Sequence, residues 1–197
     1  MKREQLKELL LQSIEHEAGG VQVYQTALKC AVNEDLKEEW EKYLEETTTH
    51  EQILRSTCLA LEVDPDEESP GRTIVRALGE SLVQAMERAL ETGTPEAAQL
   101  VACECVVLAE TKDHLDWELI GKCAEKLPGE QGKALKEAYE EIEDQEDEHL
   151  YHTKGWCREL WIESLGMKAV LPPPEERKHV KSAIGAARAQ QARSKSR

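Results

Sequence analysis

Phenylalanine is absent from this chain of 197 residues, and tryptophan and tyrosine together supply only 4% of it. Glycine (11) and proline (7) are too few for a sheet protein with many turns. No apolar run reaches 18 residues, which excludes a hydrophobic membrane-spanning helix. The opening stretch, MKREQLKELLLQSIEHE, is charged throughout and has no signal-peptide core, so a cytoplasmic location is the expected default. The six cysteines (Cys30, Cys58, Cys103, Cys105, Cys123, Cys157) form no CxxC pair, and in a reducing compartment they read as small core residues.

Acid and helix formers fill the space. Leu, Glu, Ala and Lys dominate, which favours helix. The formal net charge is −15, and its distribution is uneven. From Leu171 onward seven Lys/Arg face two Glu, so the tail is near +5 and the body near −20. A body of that sign argues against nucleic acid as a partner.

The chain divides into 1–165 and a Pro-containing basic tail, 166–197. Pro172, Pro173 and Pro174 forbid helix locally, and the following Ala, Gln, Arg, Lys and Ser show no apolar stripe, so the tail is expected to be disordered or docked only in an oligomer. Within 1–165, apolar spacing predicts long helices over 2–31, 34–60, 95–127 and 130–164, with a shorter one over 73–91. Asn33 reads as the cap of the second long helix and Thr94-Pro95 as the start of the third. Two tight antiparallel pairs joined by a connection of more than 30 residues describe an all-α four-helix bundle with one long crossover that contains a short extra helix.

Polar residues interrupt the apolar stripes. Glu17 sits in the gap of the first helix, Glu46 and His50 on the second, Glu110 and His114 on the third long helix, Glu146 and His149 on the fourth. The first turn centres near residue 32: Glu17 lies 15 before it, Glu46 and His50 lie 14 and 18 after. The second centres near 128.5: Glu110 lies 18.5 before, Glu146 and His149 lie 17.5 and 20.5 after. At about 1.5 Å per residue, all lie at one depth. Carboxylates gathered in an apolar seam repel and resist ionisation unless a metal holds them. Carboxylates with one imidazole per ion suit two iron ions, or manganese. His114, His152 and Glu143 are further candidates for that shell or its surround. Gly19 and Gly20, directly after Glu17, point to a close helix approach, a bend, or room beside the metals.

The crossover bundle carrying Glu17, then Glu46 and His50, then Glu110, then Glu146-x-x-His149, resembles the ferritin-like superfamily over about residues 3–163. Glu17 with Tyr24 resembles the first helix of bacterioferritins, and Leu44–His50 (LEETTTH) resembles small stress-associated bacterial relatives. On helix 2 the family usually has Glu three before His; here that position is Thr47, and Glu46 is expected to reach in from the flank. The resemblance implies a diiron oxidoreductase reacting with O2 or H2O2, with Tyr24 near the centre as a catalytic residue. Without a rubredoxin-like module of four cysteines, electrons for repeated turnover come from a donor protein or from an iron substrate. The crossover helix and basic tail favour a small assembly such as a homodimer. A helical scaffold with internally paired polar groups, and a metal carrier without oxygen chemistry, are the competing readings.

Overall fold

The computed structural model describes residues 1–195 and contains seven helices there and no strand. They are α1 (Arg3–Cys30), α2 (Glu34–Ala60), α3 (Pro70–Thr92), α4 (Pro95–Ala124), α5 (Gly129–Ser164), α6 (Pro174–Arg177) and α7 (Ala183–Lys195). None of the described helices is long and apolar enough to cross a membrane.

Side-chain caps set the starts of α2, α3 and α4. Asn33 Oδ1 accepts from the Leu36 N–H at 3.0 Å, and Thr94 Oγ1 from Ala97 at 3.3 Å. α3 begins three residues before the predicted Thr73, because Ser69 Oγ caps Arg72 N–H at 3.1 Å and Pro70 takes the first helical turn. Pro70-Gly71 is therefore a helix entry.

α1 packs on α2 and α4, and α5 packs on α4 and α2, closing a four-helix arrangement. α3 lies outside it, along the seam of α1 and α4. It runs parallel to α1: Gly71 meets Gln12 and Glu8 at one end, and Gly79 meets Gly19 at the middle. A Cβ on Gly79 would sit 3.6 Å from the Gly19 Cα, so the two helices cross almost backbone to backbone. This is the close approach the mid-helix glycine suggested. The crossover returns the chain to the end of α1, where Gln99 Oε1 accepts from both Val32 and Asn33 N–H at 2.7 Å. α1 and α5 thus run one way, α2 and α4 the other.

Burial divides the interior in two. Leu36, Trp40, Tyr43, Met86, Val106 and Trp156 lead one apolar cluster, and Leu10, Ile14, Leu54, Trp117, Ile120 and Leu135 the other. Between them lies a polar layer.

The tail differs from its expected disorder through to Lys195. Glu159, fully buried on α5, accepts from Arg193 Nε at 2.5 Å, Arg158 Nε at 3.0 Å and Val170 N at 2.9 Å. Arg158 also grips buried Glu175 through two bonds, at 2.7 and 2.9 Å. Trp156 Nε1 donates to Glu176. Ion pairing docks this segment, so a search for apolar periodicity does not find it.

α3 is pinned at its start by Glu15, which accepts from Arg72 Nε and Arg76 Nε, each at 2.7 Å. Arg72 is buried. Glu15→Ala leaves that guanidinium without its carboxylate and is expected to cost roughly 3 kcal/mol in urea unfolding. A loss under about 0.5 kcal/mol, the range of ordinary surface substitutions, would show that the pair does not hold α3.

Candidate metal centre

Each helix of the bundle sends a long polar side chain into the layer between the two apolar clusters. α1 contributes Glu17, whose Oε1 accepts from Trp117 Nε1 at 2.8 Å. α4 contributes Glu110, whose Oε1 accepts from the Tyr24 hydroxyl at 2.8 Å, and Asp113 one turn on. α2 contributes His50, and α5 contributes Glu146 and His149. All six are buried.

The two imidazoles are held alike. His50 Nε2 donates to Gln145 Oε1 at 2.7 Å, which turns Nδ1 inward, 2.9 Å from Glu146 Oε1 and 3.8 Å from Glu17 Oε1. His149 Nε2 pairs with Glu46 Oε2 at 2.9 Å, which turns its Nδ1 toward Glu110 at 3.5 Å and Glu146 at 3.8 Å. α2 orients the histidine of α5, and α5 orients the histidine of α2. The rings stack at 5.6 Å between centroids.

Among the described residues, ten buried side-chain polar atoms have no hydrogen-bond partner. Seven belong to this cluster: Glu17 Oε2, His50 Nδ1, Glu110 Oε2, Asp113 Oδ1, both oxygens of Glu146, and His149 Nδ1. Buried polar groups are ordinarily satisfied, and orphans gathered at one point need a cause. One donor atom each from His50, Glu146 and His149 lies within 4.8 Å of the others, and so it does for Glu17, Asp113 and Glu146. The two triads share Glu146, and both imidazoles fall in one of them, unlike the expected one imidazole per ion. Four carboxylates and two imidazoles, without thiolates, fit two divalent cations in charge and in donor type.

The electrostatics follow from burying these groups side by side. Burial raises the Glu17 carboxyl to about 8; His50 opposes this and Glu146 reinforces it. Burial, with Glu146, Glu17 and Glu110 alongside, raises Asp113 well above the carboxylate range. Burial opposes charge on His149, but Glu110 and Glu46 outweigh it and raise it. Glu110 is lowered despite its burial, by His149 and by the Tyr24 hydroxyl.

Of the sequence candidates, Glu17, His50, Glu110, Glu146 and His149 come together, with Tyr24 bound to one of them. Glu46 does not enter. Thr47 takes the inward position on α2, and Glu46, rotated by one residue, holds the outer nitrogen of His149 with Lys42 3.8 Å away. His114 does not enter either. It turns to α5 and pairs with Asp147 at 2.8 Å, half-exposed. His152 bonds Tyr43 and Glu39 at 3.0 and 3.1 Å, one turn beyond the cluster. Asp113 and Gln145 are the residues that sequence reasoning missed. Glu110-x-x-Asp113 repeats the spacing of Glu146-x-x-His149, and that was the available signal. Comparison of the chain with family models, with curated proteins and with solved structures finds no match.

Because the fold raises Glu17 from 4.5 to about 8, it favours the neutral carboxyl. The stability this gives the metal-free protein is complete below pH 4.5 and is lost as pH rises through 8. Glu17→Gln keeps the acceptor for Trp117 and cannot ionise. Metal-free wild type and variant are expected to melt together near pH 4.5, with the variant roughly 3 °C or more higher at pH 8.5. A pH-independent difference would show that Glu17 does not titrate in the fold.

Proposed function

We propose that this chain is a ferritin-like protein that holds two metal ions, iron first and manganese as the alternative, in its mid-bundle cluster and reacts with O2 or hydrogen peroxide. The observation that carries this reading is four buried carboxylates and two buried imidazoles converging from four helices, with seven of their polar atoms lacking a well-formed hydrogen bond. The ferritin-like assignment rests on the up-down-down-up helix order with one long crossover and on the ligand pattern. Asp113 takes the place of the helix 2 carboxylate that Thr47 displaces.

When bound, a reduced pair of such ions supplies two electrons to O2 or peroxide. The chain's own groups do the rest. Glu17, Glu110, Asp113 and Glu146 balance the charge of two divalent ions, with Glu146 placed between the two triads. Trp117 and Tyr24 fix Glu17 and Glu110 by hydrogen bonds, and Tyr24 keeps a proton at Glu110 Oε1. Gln145 and Glu46 fix the imidazoles and make them better donors. The apolar clusters above and below exclude water.

The test is elemental analysis of protein purified without added metal and again after anaerobic Fe(II) loading. About two irons per chain are expected, the number two-ion sites of this type hold. Glu146→Ala, His149→Ala and Asp113→Ala are expected to lose that metal. Gln145→Ala and Glu46→Ala are expected to keep the stoichiometry and bind roughly 10- to 100-fold more weakly. No metal above trace would leave a helical scaffold. Metal that is bound tightly but inert to O2 and peroxide would leave a carrier.

A further inference from the structure

The seam between α4 and α5 opens beside the cluster. A pocket of about 70 Å3 is lined by His114, Trp117, Glu118, Tyr139, Glu143, Glu146 and Asp147. It has room for a cation carrying one or two waters, each water taking about 30 Å3. Glu118 is exposed at the rim, Glu143 and Asp147 are half-buried, and Glu146 is buried at the floor. Glu146 Oε1 faces His50 Nδ1 at 2.9 Å while its Oε2 has no hydrogen-bond partner, so the floor of the pocket offers an unsatisfied oxygen of the cluster. The Tyr139 ring packs where a Cβ on Gly121 would fall, 2.7 Å away. His114 and Asp147 pair across the seam.

The pocket wall contains no lysine or arginine. The other approaches differ. Lys42 stands 3.8 Å from Glu46 and 3.0 Å from Glu148 on the α2–α5 side, where Lys181 also pairs with Glu148 at 3.1 Å. The cavity between α1, α3 and α4 is lined mainly by apolar residues with Lys112, and its one carboxylate, Glu15, is held by Arg72 and Arg76. Neither this cavity nor the pocket of Glu137 and Glu141 on the α2–α5 side contains a cluster carboxylate. A cation is repelled or unsolvated at these and attracted at the first.

We infer that the α4–α5 pocket is the entry path for divalent cations to the buried centre, with His114, Glu143 and Asp147 forming an outer site where the ion halts and sheds water before it reaches Glu146. This rests on the dimetal reading above. It gives His114 a place in metal handling, one shell outside the position its spacing suggested.

The test follows Fe(II) uptake by the full-length chain in anaerobic stopped flow, using quenching of tryptophan fluorescence, with elemental analysis of the end point. Glu118→Gln/Glu143→Gln/Asp147→Asn keeps the side-chain shapes and removes three charges. It is expected to load roughly tenfold more slowly, the scale on which a cleft of one sign raises arrival rates, and to reach the wild-type metal content. His114→Ala is expected to slow loading as well, with the end point unchanged. Glu80→Gln/Glu87→Gln/Glu91→Gln on exposed α3 changes the net charge equally and is expected to load at the wild-type rate. Loading of the pocket variant at the wild-type rate, or equal slowing of the α3 variant, would overturn the entry path and leave the dimetal centre standing. Failure of the wild type to take up metal at all would remove both.

Discussion

Burying carboxylates beside one another is the costliest act of this fold, and the rest of the structure is arranged to permit it. Glu17, Glu110, Asp113 and Glu146 lie at one level of an apolar bundle, where like charges and lost hydration both oppose ionisation. Two imidazoles, the Trp117 indole N–H on Glu17 and the Tyr24 hydroxyl on Glu110 supply the compensation the described residues offer there. A helix-to-helix geometry that survives this must be held by contacts elsewhere, and it is: caps at Asn33, Ser69 and Thr94, tryptophans at full burial in both apolar clusters, and buried ion pairs at two points on the outside.

Those outer pairs have a common form. Glu15 binds two arginines from α3, and Glu159 binds arginines from α5 and from the tail. In each case a glutamate of a bundle helix fastens a segment outside the four-helix arrangement. α3 and the tail shield the seams of the bundle without adding to the polar layer. The reciprocal bracing of His50 by Gln145 and of His149 by Glu46 does a similar job inside, fixing each imidazole through its outer nitrogen so that the inner one points to the layer.

Helix existence and order were legible because long stripes at helical spacing leave little choice, and the depth count worked because α-helices rise uniformly. Direction around a helix was less legible. Glu46 and Thr47 differ by about 100° of rotation, and so do Asp113 and His114; in both cases the residue facing inward is the less conspicuous one. Spacing alone weights a histidine above an aspartate, whereas the fold chooses by which side chain the neighbouring helix leaves room for: α5 offers Asp147 to His114 on the outside and leaves Asp113 inside. The tail was illegible for another reason. Its docking depends on Arg193 and Glu175 meeting Glu159 and Arg158 in three dimensions, and charge pairs between distant segments have no period.

The division of the interior into two apolar clusters bears on cooperativity. A single continuous core melts as one unit because every part shares buried surface with the rest. Here the upper cluster, around Trp40 and Trp156, and the lower one, around Leu10 and Trp117, meet through a layer that is repulsive when its carboxylates ionise. The helices are continuous through that layer, but the apolar packing is not. The layer therefore acts as the coupling between two folding units. Under the two-metal reading proposed above, ions that neutralised the layer would join the two ends into one unfolding unit.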